Sequence, residues 1–278
     1  MTEQSPLAGM PSRLYRATPT RLTTWLDCPR RYRFTYLDRP PPPKGPPWAH
    51  NTLGAAVHLA LAEWWRLPAP RRTVSAAGAL TERAWRSEGF RDATQSAEWA
   101  SRSRAMVERY VAHLDPDVEP RGIERTVAVI HGGVALSGRV DRIDERGGEL
   151  VVVDYKTGRH LLSVDDARAS LALAVYAAGT ARTFRATCRR VELHHLPSGD
   201  IHVWEHGDGT IGRHLSRADD IATECATADA AFRAGRTGDD VFPPSPSSQC
   251  GWCDFRHLCP QGRANSAQRA PWSGLGPG

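Results

Sequence analysis

The apolar positions of this chain repeat with two different periods, and the period changes at about residue 120. Before that point, apolar residues recur every three to four positions, which predicts helices that bury one face. After it, short runs of β-branched residues alternate with glycine-containing turns, which predicts strands. The predicted helices of the first part cover residues 20–37, 51–66 and 75–114, the last as two helices that end at Asp115-Pro116.

The second part of the chain predicts a sheet with helices around it. Turns at residues 131–133 and 146–148 separate three consecutive strands, and residues 197–199 turn a later hairpin. The predicted strands are 123–130, 134–143, 149–155, 187–196 and 200–206, and the predicted helices are 163–182 and 216–234. This order predicts one α/β domain with a central mixed sheet flanked by helices.

Composition marks the limits of this domain. Residues 1–17 lack a periodic pattern and are predicted to be flexible, whereas residues 263–278 are polar, small and rich in glycine and proline, so we expect disorder there. Residues 18–262 form the predicted domain. No apolar run approaches the ~20 residues that cross a bilayer, and the first residues lack the apolar core of a signal peptide, so we expect a cytoplasmic protein.

The chain carries a net charge of +5 and has a pI near 9.1, which suits a polyanionic partner but is weak evidence alone. Nearly all of the positive charge is arginine, since Lys44 and Lys156 are the only lysines. A GC-rich genome replaces lysine with arginine wherever either cation serves. A lysine that persists in such a chain therefore invites a chemical explanation.

Lys156 belongs to an Asp-x-Lys sequence at the end of a predicted strand. Alternation of side chains along the strand puts Asp154 and Lys156 on one face, and the meander brings Asp141 of the neighbouring strand close to them. Two adjacent carboxylates are costly to bury unless a cation neutralises them, and Mg²⁺ or Mn²⁺ prefers such oxygen ligands. The alternative is a set of surface ion pairs, in which Asp154 pairs with Lys156 and Asp141 pairs with Arg139 or Arg142.

A metal held by carboxylates would suit the hydrolysis of phosphodiesters. Such an ion acts as a Lewis acid and generates hydroxide from water near neutral pH. Lys156 would orient that water or meet the charge that grows on the phosphate. Arginine is bulkier and permanently protonated, so it replaces such a lysine poorly. This chemistry would explain why one lysine survives in an arginine-rich chain.

Three of the six cysteines fall near the C-terminal end in the spacing C-x₂-C-x₅-C. The full set is Cys28, Cys188, Cys225, Cys250, Cys253 and Cys259. In a cytosolic chain this spacing indicates metal binding rather than disulfide bonds. With Cys28 as the fourth thiolate, the set suits structural zinc or a [4Fe–4S] cluster, and spacing alone does not separate the two. Cys188, on a predicted strand, and Cys225, in a predicted helix, are interpreted as buried apolar residues.

Three short segments carry a further signal: Gly54–His58 (GAAVH), Gly138–Ile143 (GRVDRI) and Val153–Gly158 (VDYKTG). Together with the cysteines, they resemble the RecB-family nuclease domain of the PD-(D/E)XK superfamily. The resemblance is strongest to its iron–sulfur branch, which includes Cas4 and the nuclease domain of AddB, and it spans about residues 18–260. It implies a restriction-endonuclease-like core in which an N-terminal helical arm is joined to the C-terminal cysteine segment.

The resemblance also implies roles for individual residues. His58, Asp141, Asp154 and the backbone carbonyl of Tyr155 would ligate the metal, and Lys156 would be the catalytic lysine. Without the resemblance, His58 would be interpreted as an ordinary core histidine. An imidazole among the ligands makes Mn²⁺ as well as Mg²⁺ a suitable metal.

The family usually carries Gln-x-x-x-Tyr in the helix after the lysine strand, where two polar residues one turn apart face the active site. Here Tyr176 occupies the tyrosine position and is assigned to the catalytic residues, with a core aromatic as the alternative, whereas Ala172 occupies the glutamine position. This departure removes one contact to substrate or water, which affects the rate more than the type of reaction. Glu124, near the start of the first strand, is a further carboxylate that could face the site, but it is interpreted as a solvated strand end.

For the cysteine site the resemblance favours a [4Fe–4S] cluster, with zinc as the alternative. The cluster would act as a staple, because it closes a loop of more than two hundred residues between Cys28 and Cys259. Its loss should unfold both ends of the domain.

The resemblance implies DNA as the substrate. Arginines would contact phosphates and neighbouring aromatic rings would stack on unpaired bases, as in single-strand binding. The candidate residues are Trp25, Arg30, Arg31, Tyr32, Arg33, Phe34 and Tyr36. Successive residues on a helix face different ways, so only part of this set can contact DNA while the remainder packs inward. We therefore expect a metal-dependent exonuclease that acts on single-stranded DNA ends in repair or recombination. No G-x-x-x-x-G-K-[S/T] sequence is present, so a helicase would have to be a partner. The alternative is a catalytically weakened DNA-binding or helicase-associated subunit with a structural metal staple.

Overall fold

The structure is a computed structural model that describes residues 14–276; residues 1–13, 277 and 278 lie outside the described part. The strands are β1 (Tyr15–Ala17), β2 (Gly122–His131), β3 (Val134–Arg146), β4 (Glu149–Lys156), β5 (Cys188–His195) and β6 (Asp200–Glu205). The helices are α1 (Pro19–Asp27), α2 (Pro29–Tyr36), α3 (Ala49–Arg66), α4 (Val74–Ala84), α5 (Ala93–Val111), α6 (Val164–Ala169), α7 (Leu171–Phe184), α8 (Asp208–Arg233) and α9 (Pro260–Asn265).

These strands form one mixed sheet in which the long strand β3 is shared by three neighbours. Strand β2 runs antiparallel along one edge of β3. The other edge is divided: β1 pairs with it in parallel up to Leu136, and β4 pairs antiparallel from Arg142 onward. Residues 137–141 of β3 therefore lie between the two paired segments of that edge, and we call this unpaired stretch the gap. Beyond β4, β5 is parallel to it and β6 is antiparallel to β5.

Alternation along β4 divides the core between the two faces of the sheet. Val151, Val153 and Tyr155 share a core with α3, α4 and α5, whereas Leu150 and Val152 share one with α7. Helices α1, α2 and α8 close a third core against β1 and the start of β3. The predicted α/β fold, with a central mixed sheet flanked by helices, is confirmed. Within the described residues, no helix is both long and apolar enough to cross a membrane.

Two predicted helices are each divided in the structure. The helix expected over residues 20–37 breaks at Cys28, which adopts an extended conformation with φ −168 and ψ 109 before Pro29 starts α2. Proline favours the first position of a helix and disfavours the helical conformation in the residue before it. The helix expected over residues 163–182 breaks at Ser170, whose side chain caps α7. Cys28 thus lies at a helix junction, where its side chain caps α2.

The ends of the domain differ from the sequence-based expectation. Residues 15–17 form β1, and the rest of the N-terminal segment predicted to be flexible, up to residue 13, lies outside the described residues. Residues 263–276, for which we expected disorder, pack along the domain: the N–H of Ala49 donates to the carbonyl of Pro271 over 3.1 Å, and Leu275 is 3% exposed. Trp272 and Leu275 supply apolar side chains that join the core around α3.

Candidate metal centre

Three side chains with metal-ligating atoms converge at the gap beside β3: His58 of α3, Glu124 of β2 and Asp141 of β3. One donor atom of each lies within 4.8 Å of the other two, and His58 Nδ1 is 3.3 Å from Asp141 Oδ1. The side chains of His58, Glu124 and Asp141 are 30%, 16% and 11% exposed, so the cluster is shielded yet open to solvent. One imidazole and two carboxylates form a donor set that suits Mn²⁺ or Mg²⁺.

The gap in the sheet explains the orientation of Asp141. The backbone pairing of β3 with β4 ends at Arg142 and Val153. Beyond that pair, the N–H of Tyr155 donates to Asp141 Oδ2 over 2.8 Å. One carboxylate oxygen of Asp141 therefore continues the contact between the two strands, and the other oxygen is turned toward His58.

Helix α3 can place His58 in this cluster because its first turns approach the loop that follows β4. A Cβ atom on Gly54 would lie 3.2 Å from Thr157 Oγ1, so the glycine allows a close approach. His58 follows Gly54 by one helical turn and lies on the same face of α3. Its ring meets the ring of Tyr155 edge to face, with centroids 5.9 Å apart. The Gly-x-x-x-His spacing therefore lets α3 approach the loop after β4 at Gly54 and places His58, one turn later, in the cluster.

Glu124 belongs to the cluster, so its interpretation as a solvated strand end is wrong. On β2 it lies between Ile123 and Arg125, whose partners on β3 flank Asp141. Its backbone is left-handed, with φ 50, which costs about 1–3 kcal/mol in a residue other than glycine. Such strain persists where the surrounding structure enforces it, often at functional sites. The sequence did contain a signal for this position. In the predicted meander, the residue opposite Asp141 on the neighbouring strand must lie close to Asp141, and that residue is Glu124.

Asp154 and Lys156 lie at the edge of the cluster, and their charged groups form an ion pair. The side chain of Asp154 is 12% exposed, whereas that of Lys156 is 45% exposed and reaches solvent. Asp154 is not within the group formed by His58, Glu124 and Asp141, but its charge acts on His58. The structure therefore places this ion pair directly beside the candidate ligands.

The electrostatics of the cluster show an excess of negative charge. Burial lowers the pKa of His58, but the carboxylates of Asp141, Asp154 and Glu124 outweigh burial and raise it above its ordinary value. Burial and then Asp141 raise the pKa of Glu124. Burial also raises the pKa of Asp154, although Lys156 opposes the shift. A divalent cation at this position would offset the mutual repulsion of these carboxylates.

Tyr176 of α7 reaches the same region from the other face of the sheet. Its ring packs so closely over Gly138 that a Cβ atom there would collide with it. Burial, followed by the charges of Asp154 and Asp141, raises the pKa of the Tyr176 hydroxyl to about 12. Tyr176 is therefore protonated near neutral pH and able to donate a hydrogen bond. One turn earlier lies Ala172, which is half-buried.

A cavity of about 690 Å³ opens beside the cluster and gives a substrate access to it. Its wall is formed by α3, by the loop after β4, and by Gly274 and Leu275 of the C-terminal segment. Arg139 also lines it; this side chain is 71% exposed, and its Nε lies 2.7 Å from Glu124 Oε2. Sequence analysis treated Arg139 only as an ion-pair partner for Asp141. An exposed guanidinium beside the cluster is instead positioned to bind a phosphate.

The four cysteines of the predicted site line one cavity between α2 and the C-terminal segment. Three of the sulfurs accept backbone N–H groups at 3.3–3.5 Å: Cys28 from Arg31, Cys250 from Ser247 and Cys259 from Gly262. Such N–H donors stabilise thiolates, and they shift the reduction potential of an iron–sulfur cluster that thiolates hold. The fourth cysteine, Cys253, is half-buried.

The two remaining cysteines are packing residues, as predicted. Cys188 is 3% exposed and Cys225 is fully buried. Burial raises the pKa of each thiol to about 12, and neither residue lines the cavity that the other four cysteines share.

Most of the residues expected to contact DNA around Cys28 have partners inside the protein. Tyr32 is fully buried and Phe34 is 8% exposed. Arg30 pairs with Asp239, Arg33 pairs with Asp38, and the indole N–H of Trp25 donates to Glu224. Of this set, Arg31 and Tyr36 line a surface groove beside α2. Residues on successive helical positions face different ways, and here most of them face the core.

The sequence profile of the PD-(D/E)XK nuclease superfamily matches residues 16–260. That range contains the whole sheet except Tyr15, all residues of the cluster and the four cysteines. The chain therefore belongs to the PD-(D/E)XK nuclease superfamily. No curated protein sequence matches the chain.

The solved structures that are similar to this chain include two that match most of its length. The structure of SSO0001 is 16% identical, with a TM-score of 0.36, and the match covers 91% of this chain and 89% of that one. A structure named "Putative exonuclease" from Eubacterium rectale is 11% identical, with a TM-score of 0.35, and the match covers 75% of this chain and 88% of that one. The assignment to the superfamily depends on the sequence match alone.

Proposed function

We propose that the protein is a Mg²⁺- or Mn²⁺-dependent nuclease that hydrolyses DNA phosphodiester bonds. The observation that carries the proposal is the meeting of His58, Glu124 and Asp141 within 4.8 Å, beside the Asp154–Lys156 ion pair, in a chain of a nuclease superfamily. The cavity beside these residues is open enough to admit a phosphodiester backbone.

His58, Asp141 and Asp154, with the backbone carbonyl of Tyr155, would hold the metal, as the family resemblance implies. Glu124 adds a further carboxylate to this set. The donor chemistry fits, since hard divalent ions take carboxylate and carbonyl oxygens and Mn²⁺ also accepts imidazole. When bound, such an ion polarises the phosphate and lowers the pKa of water.

The protein's own residues would orient the reactants around that site. Lys156 Nζ, free to move because its side chain is 45% exposed, would donate a hydrogen bond to the attacking water or to a phosphate oxygen. Arg139 would leave Glu124 to bind a non-bridging phosphate oxygen. The protonated hydroxyl of Tyr176 would donate to the substrate from the opposite side.

For the cysteine site we propose a [4Fe–4S] cluster rather than zinc. The four thiols line one cavity, as ligands of a single centre must. Four thiolates suit either zinc or an iron–sulfur cluster. The resemblance to the iron–sulfur branch of RecB-family nucleases supports the cluster.

The finer assignment follows the same resemblance. We propose an exonuclease that acts on single-stranded DNA ends in repair or recombination, with residues 18–262 as the catalytic domain. A helicase would then be a separate partner that supplies the single strands.

Digestion of end-labelled single- and double-stranded DNA, with Mg²⁺, with Mn²⁺ or with EDTA, tests the proposal. We expect metal-dependent degradation, and we expect Lys156→Ala to lower its rate at least about 100-fold, the effect of removing one transition-state donor. Arg182→Ala, at an exposed position in the last turn of α7, is the matched control and should retain full activity. DNA binding without degradation by the wild-type protein would instead support the weakened-subunit alternative.

A further inference from the structure

A second cavity, of about 260 Å³, adjoins the metal cavity at the start of α3. His50 and Asn51 line both cavities, so the two adjoin at these residues. The second cavity lies between α2, the segment before α3, and the cysteine segment. We name it the aromatic groove and define it by Arg31, Tyr36, Lys44, Trp48, His50 and Trp252.

Aromatic rings dominate this groove. The ring centroids of Trp48 and Trp252 are 5.2 Å apart, and His50 lies 5.7 Å from Trp252 and 6.1 Å from Trp48. All three side chains are only partly buried. The indole N–H of Trp48 donates to Asp254 over 2.9 Å, which fixes that ring in place. Burial lowers the pKa of His50, so its ring is neutral near pH 7.

Cations flank these rings. The side chains of Lys44 and Arg31 are 62% and 36% exposed, and the guanidinium of Arg269 lies 5.5 Å from the ring centroid of Trp252. Acidic side chains are near as well: Asp254 is 3.6 Å from Lys44, and Asp27 is 3.8 Å from Arg31. These contacts are long and exposed, so the two cations remain able to exchange them for phosphates.

We propose that the aromatic groove binds single-stranded DNA a few nucleotides away from the scissile bond, with unpaired bases stacked on its rings and phosphates held by Lys44 and Arg31. This inference rests on the proposed nuclease function. Aromatic rings flanked by cations are the arrangement that binds single strands, because every unpaired base offers a face for stacking. Bases in a duplex are stacked on one another and leave no face for Trp48 or Trp252.

The spacing along α3 sets the distance between the groove and the metal centre. His50 and His58 are eight residues apart, about 12 Å at 1.5 Å per residue. A stacked strand rises about 3.4 Å per nucleotide, so roughly three to four nucleotides separate the groove from the metal centre. Substrates shorter than this would reach the metal centre without using the groove.

Binding is measured by fluorescence anisotropy of a 5′-labelled dT₁₂ in EDTA, so that cleavage does not contribute. Trp252→Ala should raise the Kd about tenfold, and Trp252→Phe should restore most of the affinity because it keeps an aromatic face. Lys44→Ala should reduce the slope of log Kd against log salt by about 0.7, the value for one phosphate contact on a single strand. The exposed Lys44 position also tests the groove independently, in case Trp252→Ala perturbs the neighbouring cysteines. Arg182→Ala, on the other face of the sheet, should change neither quantity.

A second assay separates the groove from the metal centre. Hydrolysis of thymidine 5′-(p-nitrophenyl phosphate) with Mn²⁺ should be unchanged in Trp252→Ala and Lys44→Ala, because this substrate is too short to reach the groove. Wild-type affinity for dT₁₂ in both variants, or a loss confined to duplex DNA, would overturn the inference. Failure of the wild-type protein to hydrolyse either substrate would count against the nuclease proposal, while the binding result would still decide whether the groove holds a strand.

Discussion

The Oδ2 atom of Asp141 accepts the backbone N–H of Tyr155 over 2.8 Å, at the point where the β3–β4 pairing ends. One side chain therefore serves two purposes. Its Oδ2 atom accepts a backbone N–H of the sheet, and its Oδ1 atom faces His58. This relationship couples the stability of the fold to the candidate metal centre, and substitutions can separate the two.

Asp141→Asn should abolish hydrolysis but leave the fold intact. The amide oxygen of asparagine can still accept the N–H of Tyr155, but the side chain no longer brings a negative charge to the metal. Asp141→Ala should lose hydrolysis and also about 1–3 kcal/mol of unfolding free energy, because the N–H is left without an acceptor. Urea denaturation and DNA digestion of both variants test this. Equal stability of the two would show that the hydrogen bond contributes nothing to the fold.

Gly138→Ala should destabilise the protein by about 1–3 kcal/mol, since the added methyl group would collide with the ring of Tyr176. Combining it with Tyr176→Ala should recover part of that loss, so the two changes should not be additive. Thermal unfolding of the two single variants and the double variant measures this coupling. Strict additivity would mean that the ring does not lie over Gly138.

Glu192 should make the protein sensitive to acid. It is 1% exposed and lies among His194, Arg146 and Arg190. Burial alone would raise its pKa, but the hydrogen bond from His194 and the charge of Arg146 outweigh burial and lower the pKa to about 2.

Because the pKa of Glu192 in the folded state is below its unfolded value, its contribution to stability is fully present above pH 4.5 and is lost as pH falls toward 2. Glu192→Gln should therefore be less stable by on the order of 3 kcal/mol at pH 7 and should show a flatter loss of stability in acid. Denaturation of both proteins from pH 7 to pH 3 measures the difference. Parallel curves would contradict this role for Glu192.

The cysteine site predicts the colour of the protein. Purified without oxygen, it should be brown and absorb near 400 nm, as iron–sulfur clusters do, whereas a zinc site would be colourless. Cys28→Ser should lose the colour and unfold at lower temperature. Serine can still cap α2 as the Cys28 side chain does, so the loss would report on the cluster rather than on the helix. Cys188→Ala should keep the colour, because Cys188 packs in a different core.

Local patterns were enough to predict most of the fold. The three strands of the meander follow from β-branched runs between glycine turns, and helix α3 follows from its apolar spacing. The breaks at Cys28 and Ser170 were missed because apolar periodicity continues across them. Strand β1 was also missed: three residues carry too little pattern, and only pairing with β3 defines them.

The candidate site was partly predictable for a related reason. Asp141, Asp154 and Lys156 could be placed together because strand alternation and a short turn relate them. Glu124 was a candidate from the sequence, but only the exact β2–β3 register puts it opposite Asp141. The rings of Trp48 and Trp252 are about two hundred positions apart in sequence, and no local pattern predicts their contact.

The central claim is that His58, Glu124 and Asp141 surround one divalent cation. Crystals soaked in Mn²⁺ and measured above the manganese absorption edge test this directly. The account predicts an anomalous peak within about 2.5 Å of a donor atom of each of the three residues, and its loss in Asp141→Asn crystals. A peak elsewhere with this position empty at saturating Mn²⁺, or a peak that persists unchanged in Asp141→Asn, would contradict it.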